Sequence, residues 1–180
     1  MILAGLSPRR LLVDGAVLCL SFSAFVFGTA YLNPWLWLED YPPEIQALVP
    51  NPPEVSLWQA LPLALFFFGF ILFLLVRSAT ALLREGAKPH GFLLAAVHTF
   101  LLLQIVNAWD VLIIDWLIFV TIQPAFMILP GTEGSPAYQD YWFHLGASYV
   151  NPASWIGITI LSAIAAGTAV MLRNRALEGT

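Results

Sequence analysis

The chain has 180 residues, of which 59% are hydrophobic and only 10% are charged. With a mean hydropathy of +0.81, this composition lies outside the soluble class and predicts an integral membrane protein. Seven basic residues against eleven acidic ones exclude a nucleic-acid binder, which needs a basic face to neutralise phosphates. The single cysteine, Cys19, excludes a disulfide framework or a thiolate metal cluster.

Four apolar stretches are long enough to cross a bilayer core of about 30 Å, which needs roughly 20 helical residues. They are residues 11–32, 58–76, 91–112 and 155–172. Proline and helix-capping side chains precede the first, second and fourth stretches, at Ser7-Pro8, Asn51-Pro52 and Asn151-Pro152, and Lys88-Pro89 precedes the third. The sequence therefore predicts an all-α membrane protein, a bundle of four transmembrane helices forming one domain over residues 1–180.

All the basic residues fall on one side of these four spans. They are Arg9, Arg10, Arg77, Arg84, Lys88, Arg173 and Arg175. The two opposite loops, residues 33–57 and 121–154, contain acidic residues and no basic one. Because positive charge near span ends is retained in the cytoplasm, both termini are predicted to be cytoplasmic.

Residues 111–126 form an apolar run that continues directly from the third span, with Asp115 as its only charge. A fifth span here would need a hairpin at residues 107–110 and would place Arg173 and Arg175 outside, against the charge pattern. We favour a long third helix that bends at Pro124 into an interfacial or re-entrant segment; the five-span fold is the alternative. The first span also resembles a cleavable signal peptide. Its apolar stretch is long for one, so we interpret it as an anchor.

Tryptophan and tyrosine gather on the outer side of this four-span arrangement. All seven Trp and all five Tyr lie in the outer loops or at the outer helix ends, among many prolines. The pattern predicts a proline- and aromatic-rich cap packed over the helix ends. The alternative is an ordinary interfacial belt of aromatic residues.

The third span and its continuation carry the polar residues that first suggest a site, because ionisable groups inside the hydrocarbon are costly. Asn107 and Asp110 are three residues apart and share a helix face, whereas Asp115 points elsewhere if the helix stays regular. His98 is expected to make an interhelical hydrogen bond rather than to bind haem, because His144 lies on the far side. Asp14 next to Arg10 predicts an ion pair at the cytoplasmic edge.

The second outer loop adds Glu133, Tyr138, Asp140 and His144, with Asp140 and His144 four residues apart. On a helix, that spacing can hold a divalent metal or let the carboxylate orient the imidazole for proton transfer. We therefore predict a catalytic or metal-binding set at the outer face. Its members are Asp110, Asp140 and His144, with Asn107, Asp115, Glu133 and Tyr138 as binding residues. In the structural alternative, these groups cap helices or solvate loops.

Two packing features complete the prediction. Ala24-x3-Gly28 and Ala163-x3-Gly167 are pairs of small residues that let helix backbones approach closely, and their faces are expected to meet. The second span presents a bulky phenylalanine surface around Gly69, suited to lipid or to the helix of a partner. No glycine pattern for nucleotide binding occurs, so no nucleotide is expected, and the separation of His98 from His144 leaves no haem expected either. A divalent metal at the outer face is the possible cofactor.

Three motifs resemble a group of small, uncharacterised bacterial multi-span integral membrane proteins. They are Asn107-x2-Asp110-x4-Asp115-Trp116, Pro130-Gly131-Thr132-Glu133-Gly134 and Tyr138-x-Asp140-Tyr141-x2-His144. The resemblance covers residues 98–146. It implies a multi-pass protein of the bacterial cytoplasmic (inner) membrane, and it implies no activity, cofactor or catalytic residue.

The residues leave the function class open. We expect a binding, accessory or scaffold protein whose partner is a membrane lipid or another membrane subunit. The alternative is a membrane-embedded enzyme that acts on a lipid-linked substrate at the outer leaflet through its Asp and His side chains. A small proton-coupled transporter is less favoured, because the middle of the bundle offers few polar residues for a path.

Overall fold

The computed structural model describes residues 5–85 and 90–178, and this part of the chain is helical without strands. In chain order the α-helices are α1 (Pro8–Leu32), α2 (Pro43–Ala47), α3 (Leu57–Arg84), α4 (Gly91–Trp109), α5 (Tyr141–Leu145) and α6 (Pro152–Glu178). A π-helix, Asp110–Ile122, continues α4, and a second, Gly146–Val150, follows α5. Short 3-10 helices lie at Pro34–Asp40, Ala125–Met127 and Pro136–Gln139.

Four helices are long and apolar enough to cross a membrane: α1, α3, α4 with its continuation to Ile122, and α6. The predicted all-helical, four-span architecture is confirmed at this level, and it indicates a membrane protein. Much of the surface of these helices is exposed and apolar, as lipid contact requires. On α3, for example, Phe66, Phe68 and Phe73 all point outward.

Neighbouring helices run up and down in turn. Early α1 lies beside late α3, where Ser78 bonds to Asp14, and late α1 lies beside early α3, where the rings of Phe25 and Phe67 stack. α6 likewise runs against α4, since Arg173 lies next to Gly91. The start of α1, the connection from α3 to α4 and the end of α6 therefore share one end of the bundle. We call it the basic end.

The helices extend beyond the apolar stretches that predicted them. α3 continues past residue 76 to Arg84, and α6 continues past residue 172 to Glu178, because hydropathy does not mark polar helical turns. The predicted start at Ser7 is confirmed, since its side chain accepts a hydrogen bond from the backbone amide of Arg10. The start predicted at Asn51-Pro52 is wrong: α3 begins later, where Ser56 and Gln59 form a capping box.

At α6 the predicted start is confirmed, because the Asn151 side chain accepts a hydrogen bond from the Ala153 amide at 3.0 Å. The dipeptide expected before the third span, Lys88-Pro89, lies outside the described residues. There the helix begins at Gly91, after His90 in a left-handed conformation.

The third helix is long and ends beside Pro124, as favoured, although its span exceeds the predicted bound of residue 112, and the five-span alternative is wrong. Instead of ending near residue 112 or turning back at residues 107–110, the helix passes from α to π form at Asp110 and runs on to Ile122. It ends at Gln123, whose φ of 52° is left-handed, and Pro124 follows in an extended conformation. The change of direction expected at Pro124 is therefore present.

Small residues do pack the bundle, but not the predicted ones. A Cβ on Gly28 would meet no atom within 4 Å, and Ala163 is exposed, so these faces do not meet. The buried small residues of α6 are Ser162, Ala165, Ala166 and Ala169. They face α3 and α4, and the hydroxyl of Thr99 donates to the Ser162 carbonyl oxygen at 3.2 Å.

A chain of polar contacts ties α1, α3 and α4 together near the basic end. Arg10 donates to the carboxylate of Glu85 and lies 3.9 Å from that of Asp14, which confirms the predicted ion pair. The Ser78 hydroxyl donates to Asp14, and its oxygen lies 2.8 Å from Nε2 of His98. Because the single hydroxyl proton goes to Asp14, Nε2 of His98 carries a hydrogen and donates to Ser78. The predicted interhelical bond of His98 is thus confirmed.

Candidate functional site

A cavity of about 990 Å³ lies at the opposite end of the bundle, which we call the acidic end. Its apolar lining comes from α1, from the π-helix and from the 3-10 helix that follows it, with Phe22, Val26, Ala30, Phe119 and Met127. Its polar lining is Glu39, Asp40, Asp110, Asp115 and His144. The segment from Gly146 to Ser154 closes another side. One cavity thus combines an apolar surface with a group of carboxylates.

The π-helix explains why two of these carboxylates share the cavity. Residues five apart point in different directions on an α-helix, but a π-helix bonds each amide to the carbonyl five residues earlier. The amide of Gln123 donates to the Ile118 carbonyl oxygen in this way, at 2.8 Å. The wider turn brings residues i and i+5 to the same face, so Asp110 and Asp115 both line the cavity.

His144 is the third polar group from this half of the chain. It is buried, and its Nδ1 lies 3.4 Å from a carboxylate oxygen of Asp115. Its Nε2 is buried and makes no hydrogen bond to the described residues. A carboxylate on one ring nitrogen fixes the orientation of the imidazole and leaves the other nitrogen as the one available for chemistry.

Short contacts hold α5, and with it His144, against the π-helix. The indole nitrogen of Trp116 donates to the Tyr141 carbonyl oxygen at 3.0 Å, and the hydroxyl groups of Thr121 and Tyr141 lie 2.9 Å apart. The ring of Phe119 packs against the imidazole with its centroid 5.0 Å away. The position of His144 is therefore set by a packed surface rather than by a free loop.

Asp40 reaches the cavity from the first long loop, at the end of a 3-10 helix. Asn33 begins this helix by accepting a hydrogen bond from the Trp35 amide, and the Trp37 indole donates to the Thr29 hydroxyl. Asp40 remains exposed to solvent, yet surrounding protein atoms and the nearby charges of Asp115 and Glu39 raise the pKa of its carboxyl. His144 opposes this rise.

The loops beside the cavity pack on one another. Tyr41 is buried, its hydroxyl donates to the Met127 carbonyl oxygen at 2.8 Å, and its ring contacts Phe119 and Tyr138. Burial, together with Tyr138 and Asp40, raises the pKa of the Tyr41 phenol, so it stays a neutral donor. Ile45 and Leu129 complete this core, which is continuous with α1 and the π-helix.

Several predicted residues have structural contacts instead of a place in the cavity lining. Asp140 is exposed and caps α5, since its carboxylate accepts a hydrogen bond from the Phe143 amide at 2.9 Å. Glu133 is exposed, and the amides of Gly131 and of Glu133 itself hold the pKa of its carboxyl low. Tyr138 is buried, with its hydroxyl bonded to Thr132 and to the Leu129 amide. Asn107 donates to the Ser148 carbonyl oxygen.

The predicted metal set is not assembled in the described part of the chain. Among residues 5–85 and 90–178, no three His, Cys, Asp or Glu side chains are grouped in a way that could hold a metal ion. Asp110 and His144 do line one cavity, but Asp140 is held at the helix cap, and Asp115 takes the place beside His144.

Sequence reasoning missed Asp40 and gave Asp115 only a supporting role. Asp40 was one acid among several in a loop, and no local spacing linked it to residue 115. The signal that could have placed Asp115 was the long apolar run after Asp110, which contains no helix breaker before Pro124. An unbroken helix there would have brought Asp115 to the level of the loops.

No family model, no curated protein and no solved structure matches this chain. The chemistry of the cavity lining is therefore the ground for a functional assignment.

Proposed function

We propose that this protein binds an amphipathic molecule with a cationic head, such as an amine-bearing lipid, in the cavity at the acidic end. The supporting observation is the lining of that one cavity, where Asp40, Asp110 and Asp115 stand beside an apolar surface from α1. Ligand pockets typically combine such apolar surface with a few convergent polar groups.

The charges favour a cationic head. Among the described residues, none of the three aspartates has a Lys or Arg within ion-pairing distance, and only Asp115 is paired, with His144. Carboxylates crowded in a partly desolvated site oppose one another's ionisation. A positively charged head would relieve this repulsion and form charge-assisted hydrogen bonds with them.

The apolar surface favours a tail. Phe22, Val26 and Ala30 lie along one face of α1, with Ala30 almost fully buried and Phe22 partly accessible. They lead from the carboxylates toward the interior of the bundle, where an alkyl or aryl group is removed from water. Burial of apolar area contributes roughly 25 cal/mol per Å². A ligand that had only a cationic head would not cover this apolar surface.

The proposal is tested with two ions of nearly the same shape and opposite charge, tetraphenylphosphonium and tetraphenylborate. We expect the full chain in nanodiscs of phosphatidylcholine to retain the cation and not the anion. Asp110→Asn combined with Asp115→Asn should weaken cation binding about tenfold or more, because tetraphenylphosphonium donates no hydrogen bond and is attracted by charge alone, and a carboxylate a few ångströms away contributes roughly 1 to 3 kcal/mol. The matched control removes two acids outside the cavity lining, Glu133→Gln with Asp140→Asn.

Equal retention of both ions, or equal loss in the control variant, would contradict the proposal. The first result would mean that both ions bind to apolar surface regardless of the sign of their charge. The second would mean that only the net charge of the acidic end matters.

We further propose that the protein lies in the bacterial cytoplasmic membrane with the basic end and both termini in the cytoplasm. The one-sided distribution of Lys and Arg supports this orientation. The aromatic loops then form a cap on the outer side. Because Cys19 is buried, a membrane-impermeant maleimide on intact cells should label Trp142→Cys and spare Arg175→Cys. The reverse pattern would invert the topology.

One observation favours a second candidate, an enzyme that acts on a lipid-linked substrate. The Asp115 carboxylate lies 3.4 Å from Nδ1 of His144, and Nε2 makes no hydrogen bond to the described residues, an arrangement that suits a general base. We would incubate the protein with phosphatidylethanolamine and phosphatidylglycerol and follow the lipids by mass spectrometry. A product that forms with wild type but not with His144→Gln, while both bind tetraphenylphosphonium equally, would favour the enzyme.

A further inference from the structure

We propose that a groove at the basic end holds the phosphate headgroup of an anionic phospholipid. The groove has a volume of about 560 Å³ and lies along α3, next to Leu172 of α6. Its charged lining is Arg10, Arg77, Arg84 and Glu85, and its apolar lining includes Phe73 and Val76. It lies at the opposite end of the bundle from the cavity of the proposed function and is independent of it.

The arginines leave net positive charge in the groove. Arg10 donates to the carboxylate of Glu85, so these two charges offset each other. Arg77 and Arg84 are exposed, and neither has an acidic side chain within ion-pairing distance among residues 5–85 and 90–178. Two guanidinium groups thus line the groove without a counterion from the described part of the chain.

The position of Arg77 favours an anion beside it. It lies seven residues before Arg84 on the same helix face, about 10 Å deeper along the axis, and Phe73 follows one turn deeper still. A cation at that depth on a lipid-facing surface is costly unless it is paired or reaches the interface. A lipid phosphate at the interface would pair with both arginines, while its acyl chains lie on Phe73 and Leu172.

A buried hydroxyl provides a second observation. Thr80 lines the groove between the two arginines and is only 8% exposed, yet its hydroxyl makes no hydrogen bond to the described residues. A threonine inside a helix usually bonds to a carbonyl one turn earlier, as Thr99, Thr159 and Thr168 do here. A phosphate oxygen in the groove would supply the missing partner. Basic pockets between transmembrane helices bind anionic headgroups in this way.

The test is competitive retention. The full chain would be released from a membrane of equimolar phosphatidylglycerol and phosphatidylcholine, and the bound lipids counted by native mass spectrometry. We expect wild type to be enriched in phosphatidylglycerol. The enrichment should fall roughly fivefold for each arginine removed in Arg77→Gln and Arg84→Gln. The matched control, Arg9→Gln with Arg175→Gln, removes the same charge from exposed positions outside the groove and should keep the enrichment.

Three outcomes would overturn the proposal. The first is equal retention of phosphatidylcholine, and the second is a loss of enrichment in the control as large as in the groove variants. The third is displacement of the lipid by inorganic phosphate at the same concentration, which would indicate a site for free phosphate. Thr80→Val is a second variant that is not expected to misfold, because it removes an unpaired hydroxyl and keeps the shape of the side chain. It should leave thermal unfolding in phosphatidylcholine unchanged while lowering the enrichment, and unchanged enrichment would remove the hydroxyl from the site.

Discussion

The two ends of the bundle use partly buried polar residues in opposite ways. At the basic end, Glu85, Arg10, Asp14, Ser78 and His98 form one chain of alternating donors and acceptors that joins three helices. At the acidic end, three aspartates gather around a cavity with only one partner of opposite character, His144. Hydrogen-bonded chains between helices fasten them, whereas crowded acidic groups around a cavity cost stability. The difference predicts opposite responses to mutation.

The largest effect is expected at the basic end. Ser78→Ala leaves the Asp14 carboxylate and the Nε2–H group of His98 without their shared partner, which should lower the free energy of unfolding by about 2 kcal/mol. The measurement is thermal or denaturant unfolding in detergent micelles. Ser162→Ala is the matched control: Ser162 is also 3% exposed, but its hydroxyl donates only to the Ile158 carbonyl of its own helix. Equal losses in the two variants would show that the chain does not fasten the helices.

At the acidic end we expect a mutation to have the opposite effect on the free energy of unfolding. Asp110→Asn keeps the shape of the side chain and removes one of the four acidic groups that line the cavity, Glu39, Asp40, Asp110 and Asp115. We expect the free energy of unfolding not to fall, and to rise by up to about 1 kcal/mol, while retention of tetraphenylphosphonium decreases. A loss of stability comparable to that of Ser78→Ala would mean that Asp110 has a structural role, and the contrast between the ends would disappear.

The sequence predicted the basic end better than the acidic end, and the reason is physical. Four apolar stretches and the charge distribution gave the four-span architecture, and Asp14 next to Arg10 gave the local ion pair. These inferences depend on contacts close in sequence or on the bilayer itself. The exact helix ends were less predictable, because hydropathy does not register polar turns such as those before Arg84.

Predicting the cavity would have required two features that the residue pattern does not reveal. The α-to-π transition at Asp110 changes which residues share a face, so Asp115 joins Asp110 instead of pointing away. Asp40 comes from a loop far away in the chain and reaches the cavity through the packing of Tyr41 against Phe119 and Tyr138. The spacing of Asp140 and His144 suggested a pair, but Asp140 is used to cap the helix that carries His144.

The Asp140 cap of α5 tests the difference between the two ends through a smaller expected effect. Asp140→Ala removes the acceptor for the Phe143 amide and should lower stability by about 1 kcal/mol without changing cation binding, because Asp140 does not line the cavity. Asp140→Asn keeps an acceptor at the cap and should behave like wild type. If Asp140→Ala instead weakened cation binding as much as Asp115→Asn, the boundary of the acidic site would have to include the cap.

The smallest effect should come from Asp40, and it should depend on pH. Partial desolvation by surrounding protein atoms and the charges of Asp115 and Glu39 raise the pKa of this carboxyl in the folded protein above its unfolded value near 3.9. A raised pKa means that its stabilising contribution is complete below the unfolded value and is lost as the pH rises through the folded value. Asp40→Asn should therefore increase stability at pH 7, and the gain should vanish toward pH 3.

The gain should stay below about 0.5 kcal/mol, because Asp40 is exposed and solvent screens its charge. Glu54→Gln, which removes an exposed acid outside the cavity lining, controls for the change in net charge. A gain that grew on acidification would show that ionised Asp40 weakens the fold less than protonated Asp40 does. In that case the carboxylate would already have a favourable partner, and Asp40 would resemble the Asp14 carboxylate of the basic end, which the protein itself pairs with Arg10 and Ser78.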